Sequence, residues 1–342
     1  MEEKFQPDIV ASTLKRSDLK SRITISDSFH KVEQGDIIAV EVKDKGGKYN
    51  QIEDLKGNHH KLKKGVKILG VVGERKAVQG FVAEIPGNLE KGDKLQFIGG
   101  GGVFGNCLDY FEEVGEPWDV EFKGFAVENG KKLNFKDFAI PLKTEIENCS
   151  PLIMVAGTRM DSGKTTLASN IIKELSDQGF DIGAAKLTGF TRQRDRMKMK
   201  NHGAVESLDF VDAGILHTMG NPERAIKAGK TVLSNFKEDM DAVVVELGGG
   251  LIGPDHVIEL LTDKEIAINT EYLIITAMDP VSAFGSVKML EKYGMEPDLI
   301  SGPATDTETG KEGIREHAKV EALNGRKNFE QISSLIEEKL ES

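Results

Sequence analysis

Two patterns of apolar and polar residues follow one another along the chain. Up to about residue 142, short β-rich runs are broken by glycine turns. After about residue 150, near-continuous apolar runs alternate with amphipathic segments of ten residues or more. The apolar runs at 151–157 (PLIMVAG), 181–187 (DIGAAKL), 242–247 (AVVVEL), 272–277 (YLIITA), 298–301 (DLIS) and 319–323 (KVEAL) predict strands covered on both faces, and hence a parallel sheet. A helix is predicted over about 163–178, where Leu167, Ile171, Ile172 and Leu175 form one stripe. Another opens at Asn221-Pro222, a cap residue followed by a first-turn proline, and runs to about 236. Strand and helix in alternation require right-handed crossovers, which gives a doubly wound, mostly parallel α/β layer.

In the first half a small pattern recurs: EQGDIIAV at 33, KKGVKILG at 63, EKGDKLQF at 90 and ENGKKLNF at 128. Each sets a glycine after two polar residues and then starts a strand, so Gly35, Gly65, Gly92 and Gly130 are expected in turn conformations that other residues resist. The prediction is a smaller, β-rich, barrel-like domain. The run Gly99–Gly102 either lets a ligand or the other domain approach closely or forms a flexible loop. The polar stretch PLKTEIENCSP at 141–151, with a proline at each end, reads as a connector. The expected domains are therefore 1–142, β-rich, and 150–342, α/β.

Charge narrows the partners. Lys plus Arg number 45 against 56 Asp plus Glu, a net charge of −11, which argues against general affinity for nucleic acid or an anionic membrane. Any anion site must be local. No apolar stretch approaches the roughly 18 residues that span a bilayer, and the start MEEKFQPDIV is unlike a signal peptide, so a soluble, cytoplasmic protein is expected. Cys107 and Cys149 are expected to be unpaired thiols, with no neighbours at zinc-ligand spacing.

The chemistry concentrates in VAGTRMDSGKTTLA, residues 155–168. A glycine-bracketed turn from a buried strand into a helix aims backbone N–H groups at one spot, where the helix N-terminus adds partial positive charge. Lys164 supplies an ammonium for β- and γ-phosphate oxygens, Thr165 a hydroxyl for Mg²⁺, and Thr166 a contact to an α-phosphate. Counting back from Gly163 to Gly157 gives five residues, so Thr158 occupies the usual first-glycine position of G-x-x-x-x-G-K-[ST]. The cradle is read as Thr158, Arg159, Met160, Asp161, Ser162, Gly163, Lys164, Thr165 and Thr166.

A metal-bound nucleotide also needs an acid at a neighbouring strand end. Glu246, before Gly248–Gly250, is read as the metal- or water-positioning residue and, with Lys164 and Lys186, as catalytic. Lys186 and Thr188 end the second strand on the same edge, where open α/β sheets bind ligands. The segment TRQRDRMKMK is read as a basic loop able to close over phosphates or a carboxylated substrate, with Arg192, Arg194 and Arg196 as substrate contacts. Asp209 is a candidate metal ligand, Asp212 a candidate substrate contact, and Asp279 a helix cap or a weaker candidate.

The run GTRMDSGKTT resembles the P-loop of dethiobiotin synthetase and of related cobyrinate amidation and molybdenum-cofactor nucleotide-binding proteins, which reads GT, four variable residues, GKT. Lys186 with Thr188-Gly189, and Glu246 before glycines, also resemble that class, although the glycine after Lys186 comes too soon. The resemblance implies contacts to phosphate and Mg²⁺ at these positions. With its β-rich first half and DFVDAG at 209–214, the chain also resembles a family of P-loop proteins that includes D-glutamate N-acetyltransferases, which implies acetyl-CoA as a rival ligand. Three readings follow. One is a Mg²⁺–ATP enzyme activating a small carboxylate or carbamate-like substrate. Another is an amino-acid N-acyltransferase gripping CoA phosphates, and the third is a nucleotide-dependent switch or cofactor-delivery module. A homodimer is left open.

Overall fold

A computed structural model of the protein describes residues 1–19, 22–43, 46–237 and 239–341. The chain divides into two compact units. The first is Met1–Ile140 with Phe190–Arg194 and Gly214–His217; the second is Pro141–Gly189, Asp195–Ala213 and Thr218–Ser342.

The first unit is built on strands β1 (Ile37–Val42), β2 (Lys67–Val72), β3 (Lys94–Gly99), β4 (Val103–Tyr110) and β5 (Trp118–Glu128). They pair in a closed circuit: β5–β1 and β1–β2 antiparallel, β2–β4 parallel, β4–β3 and β3–β5 antiparallel. Alternate positions point inward, as the two-residue period of a strand requires. Ile38, Val40 and Val42 of β1 thus meet Ile68, Phe97, Phe104, Phe122 and Phe125 in one core. Gly35, Gly65, Gly92 and Gly130 all have positive φ, between 72° and 103°, as the recurring sequence pattern predicts.

The glycine run is neither a loose loop nor a ligand seat, because the unit's own chain packs against it. A Cβ at Gly99 would lie 2.3 Å from the Phe190 ring, one at Gly101 2.9 Å from the Thr191 carbonyl oxygen, and one at Gly102 2.1 Å from the Ala11 methyl. Beside it lies Glu53, whose carboxylate is fully buried. It accepts hydrogen bonds from the Gln193 amide at 2.6 Å, the Arg192 Nε at 3.1 Å, the Arg194 amide at 3.2 Å and the Ser12 hydroxyl at 3.3 Å.

The second unit is an α/β fold around a parallel sheet. Its strands are β6 (Leu152–Gly157), β7 (Ile182–Thr188), β8 (Glu206–Asp209), β9 (Ala242–Leu247), β10 (Thr270–Thr276), β11 (Leu299–Ser301) and β12 (Glu321–Ala322). They form one all-parallel sheet in the order β8-β7-β9-β6-β10-β11-β12. Every residue of β6 and β9 is buried, which explains their unbroken apolar runs. The helices are α1 (Lys164–Asp177), α2 (Arg194–Asn201), α3 (Pro222–Leu233), α4 (Val257–Leu261), α5 (Lys264–Ile268), α6 (Pro280–Glu291), α7 (Glu308–Ala318) and α8 (Phe329–Leu340). The predicted stripe of α1 packs with Ile332 and Ile336 of α8 on Ile153, Val155 and Ile274 of the sheet.

Two expectations are corrected. The polar strand β8 has no counterpart among the apolar runs, because as an edge strand it pairs only with β7. The segment expected to be a basic loop is largely helical, as α2. Asp279 caps α6 through the Ser282 amide at 2.8 Å. Cys107 and Cys149 are both free, and burial pushes the Cys149 thiol up to about 11. Among the described residues no helix is long and apolar enough to cross a membrane.

Candidate functional site

The turn between β6 and α1 opens at the middle of the sheet. Gly163, the residue before α1, has φ 96°, and α1 carries no side-chain cap and no acid in its first turn. By contrast Asn221, Asp263, Asp279 and Thr307 cap α3, α5, α6 and α7. The first amides of α1 therefore keep their unmet donors, and the helix end keeps its partial positive charge. The turn is shaped from within. Ser162 is buried, with its Oγ 2.9 Å from the Arg159 carbonyl oxygen and 2.6 Å from Thr276 Oγ1, while Asp161 sits in the left-handed region at φ 59°. Arg159, Met160 and Asp161 are exposed. Ser162 therefore holds the loop from inside, whereas the sequence placed it among the ligand contacts.

Strand register sets the acid and the second lysine beside this turn. Glu246 of β9 stands level with Val155 of β6 and Lys186 of β7, and Lys186 stands level with Asp209 of β8. Lys164, nearly fully buried, donates from Nζ to the carbonyl oxygens of Arg159 and Gly249, each at 2.7 Å. Thr165 donates its hydroxyl to Glu246 Oε1 at 3.0 Å. Lys186 Nζ is 3.9 Å from Glu246 and bonds directly to Asp195 in the first turn of α2. Lys198, one helical turn further along α2, donates to Thr166 Oγ1 at 3.0 Å.

Burial dominates the electrostatics. It pulls the Lys164 ammonium down to about 8, the Glu246 carboxylate raising it and Lys186 lowering it. It pushes the Glu246 carboxyl up, with Lys186 opposing and Asp195 adding to the rise. Both groups are thus driven toward neutrality in a dry site. Two oxygens there are buried without a hydrogen-bond partner among the described residues, Glu246 Oε2 and Thr158 Oγ1. A divalent cation with an anionic phosphate fits these features: Thr165 and Glu246 offer hard oxygens, while Lys164 and the α1 amides offer donors.

Other predicted residues are placed elsewhere or held by neighbours. Asp209, expected as a metal ligand, is one strand beyond Lys186 and so two strand spacings, roughly 10 Å, from Glu246. Its Oδ1 accepts the Val211 and Asp212 amides at 2.9 and 3.3 Å, and its Oδ2 faces Arg196 at 3.6 Å. Asp212, expected at the substrate, is buried and accepts the Asp209 amide at 2.9 Å. Thr188 gives its hydroxyl to the Gly248 carbonyl oxygen at 2.7 Å. Arg192 and Arg194 belong to the first unit, where Glu53 holds the Arg192 side chain and the Arg194 amide. Arg196 binds the Ser207 carbonyl oxygen at 2.8 Å. Of the cations in this segment, Arg192, Arg196 and Lys200 are engaged by internal partners.

Sequence reasoning held Asp195 and Lys198 within the basic segment expected to close over phosphates, but did not set them on one helix face beside Lys186 and Thr166. Their three-residue spacing is the available signal: on a helix it puts both side chains on one face. Among the described residues no cluster of three or more His, Cys, Asp or Glu could hold a metal on its own.

No family model matches the chain, and no curated protein matches it. Similar solved structures include the hydrogenase maturation factor HypB from Archaeoglobus fulgidus, at 16% identity over 56% of this chain and 90% of that one, TM-score 0.38. The 54 kDa signal recognition particle protein from Aeropyrum pernix K1, in complex with GDP, is 16% identical over 58% of this chain and 50% of that one, TM-score 0.36. HypB from Helicobacter pylori, in complex with nickel, is 15% identical over 56% of this chain and 87% of that one, TM-score 0.37.

Proposed function

We propose that the second unit binds a magnesium–nucleoside triphosphate, with ATP as the nucleotide, in the cradle from Thr158 to Thr166. In this reading the chain is an enzyme that activates a small carboxylate or carbamate-like substrate by phosphoryl transfer. The observation that carries it is the Thr165–Glu246 pair at 3.0 Å, with Glu246 Oε2 buried and unpartnered beside Lys164. Such chemistry needs positioning and charge neutralisation more than a protein nucleophile. The hydroxyls of Ser162 and Thr188 are held by internal partners, which supports a substrate that brings its own attacking oxygen.

Bound Mg²⁺ would neutralise charge on the transferred phosphoryl group. Thr165 and Glu246 would hold it, Lys164 would bind phosphate oxygens, and Lys186 would keep Glu246 ionised. The acyltransferase reading leaves Thr165 and Glu246 without a metal and is disfavoured for that reason.

The test is a thermal-shift and calorimetric comparison of ATP, GTP and acetyl-CoA, each with and without Mg²⁺. Stabilisation by ATP that Mg²⁺ strengthens, together with phosphate release stimulated by small carboxylates, is expected. Metal-independent binding of acetyl-CoA, with no response to either triphosphate, would overturn the proposal.

A further inference from the structure

The cations of residues 192–200 are not equivalent. Arg192 is matched by the Glu53 carboxylate, Arg196 by the Ser207 carbonyl and Asp209, and the exposed Lys200 donates to the Val205 carbonyl. Lys198 differs. It is half-buried, its ammonium donates only to the neutral hydroxyl of Thr166, and among the described residues it has no ion-pair partner.

An ammonium drawn partly out of water with only a hydroxyl as partner has an unbalanced charge. At Lys198 a second positive element lies alongside, the uncapped N-terminus of α1, whose third residue is Thr166. The side chain does not reach this place by chance. Asp195, one turn earlier on the same face of α2, is bound to Lys186 at the sheet edge, which anchors the helix so that Lys198 falls on Thr166. Adjacent hydroxyls of α1 thus face opposite partners. Thr165 gives its proton to an acid, and Thr166 accepts one from a cation.

We propose that Lys198 is a phosphate-binding residue of the nucleotide site, acting on the Thr166 side, away from the Thr165–Glu246 pair. The inference rests on the nucleotide reading above and adds to it. Lys164 and the α1 amides are not the whole cradle, since α2 supplies a second ammonium. Because Lys198 acts away from the metal pair, it serves a nucleoside diphosphate as well as a triphosphate.

Titration calorimetry of the full chain with Mg²⁺–ATP and Mg²⁺–ADP, on wild type, Lys198→Met and Lys198→Arg, tests this; the guanine pair replaces the adenine pair if wild type prefers it. Lys198→Met is expected to raise both dissociation constants about tenfold, leaving their ratio and the unliganded melting temperature unchanged. Lys198→Arg is expected to stay within about threefold of wild type, since it keeps the charge. Wild-type affinity for both nucleotides in Lys198→Met would overturn the inference and leave the nucleotide reading standing. A loss confined to the triphosphate would overturn the placement on the Thr166 side. If wild type binds neither ATP nor GTP, the nucleotide reading fails and the inference with it. Should Lys198→Met not fold, Lys198→Gln is read by the same criteria.

Discussion

Thr165 donates its hydroxyl to Glu246 at 3.0 Å, and the other carboxylate oxygen is buried with no hydrogen-bond partner among the described residues. One half of a buried carboxylate is thus satisfied and the other waits for a charge. Burial disfavours the ionised form, and a hydrogen bond alone does not restore it, since a buried anion needs a cation close by. Lys186 at 3.9 Å is already bound to Asp195. We expect Glu246→Gln to bind nucleotide with near wild-type affinity in the absence of metal. It should lose the Mg²⁺ dependence and at least about 10²-fold in turnover. Phosphate-release kinetics across a Mg²⁺ titration measure both. Undiminished turnover would remove Glu246 from the chemistry.

The lowered Lys164 ammonium makes binding pH-dependent. Its ordinary value is 10.5 and burial brings it to about 8 in the protein without ligand. Between those values the unfolded chain holds a proton that the folded chain lacks, so this group makes unliganded stability rise with pH across that window. A bound phosphate favours the charged ammonium, so above pH 8 binding must draw in a proton, and affinity should fall as pH rises through that value. Calorimetry at about pH 9 in two buffers of different ionisation enthalpy should give different apparent enthalpies. Lys164→Arg, which stays charged, should abolish the difference. Identical enthalpies for wild type in the two buffers would contradict the assignment.

Much of this architecture is legible without coordinates wherever burial leaves a pattern. The runs read as 151–157 and 242–247 become strands Leu152–Gly157 and Ala242–Leu247 because both faces of a central parallel strand are covered. The helix read over 163–178 forms as Lys164–Asp177. Strand Glu206–Asp209 is illegible because at the sheet edge two of its four residues are only partly buried, and no apolar run is required. Helix Arg194–Asn201 is hidden by charge. Five cations in alternation read as a basic loop able to close over an anion, but their partners come from distant positions, Asp209 for Arg196 and Thr166 for Lys198. Such pairings are tertiary and leave no local trace. The same holds for Glu53, a lone acid in sequence whose buried contacts come from Ser12 and residues 192–194.

That carboxylate supports a stability prediction for the first unit. Glu53 satisfies two main-chain amides and the Arg192 guanidinium with no exposure to water. Removing it strands two donors and a partly exposed cation together, so Glu53→Ala should lower stability by about 2–3 kcal/mol. Glu53→Gln keeps the shape and one acceptor oxygen and should lose less. Denaturant midpoints at unchanged slope provide the measurement. A shift for Glu53→Ala of under about 0.5 kcal/mol, the scale of an ordinary surface substitution, would show that water or neighbours replace the carboxylate freely.

Two glycines with the same backbone angle separate strain from packing. Gly102 and Gly65 both have φ 87°, a conformation that costs an L-residue roughly 1–2 kcal/mol. At Gly65 an added Cβ meets nothing within 4 Å, whereas at Gly102 it would lie 2.1 Å from the Ala11 methyl and 3.5 Å from Ile52. Gly65→Ala should therefore lose only the backbone penalty, about 1 kcal/mol. Gly102→Ala adds the displacement of a fully buried residue, an overpacking cost of about 1–3 kcal/mol beyond that penalty. Parallel chemical denaturation of the two variants reads the difference directly. If both lose the same amount, the close approach of Ala11 is relieved by a small shift, and backbone conformation alone explains the need for glycine at 102.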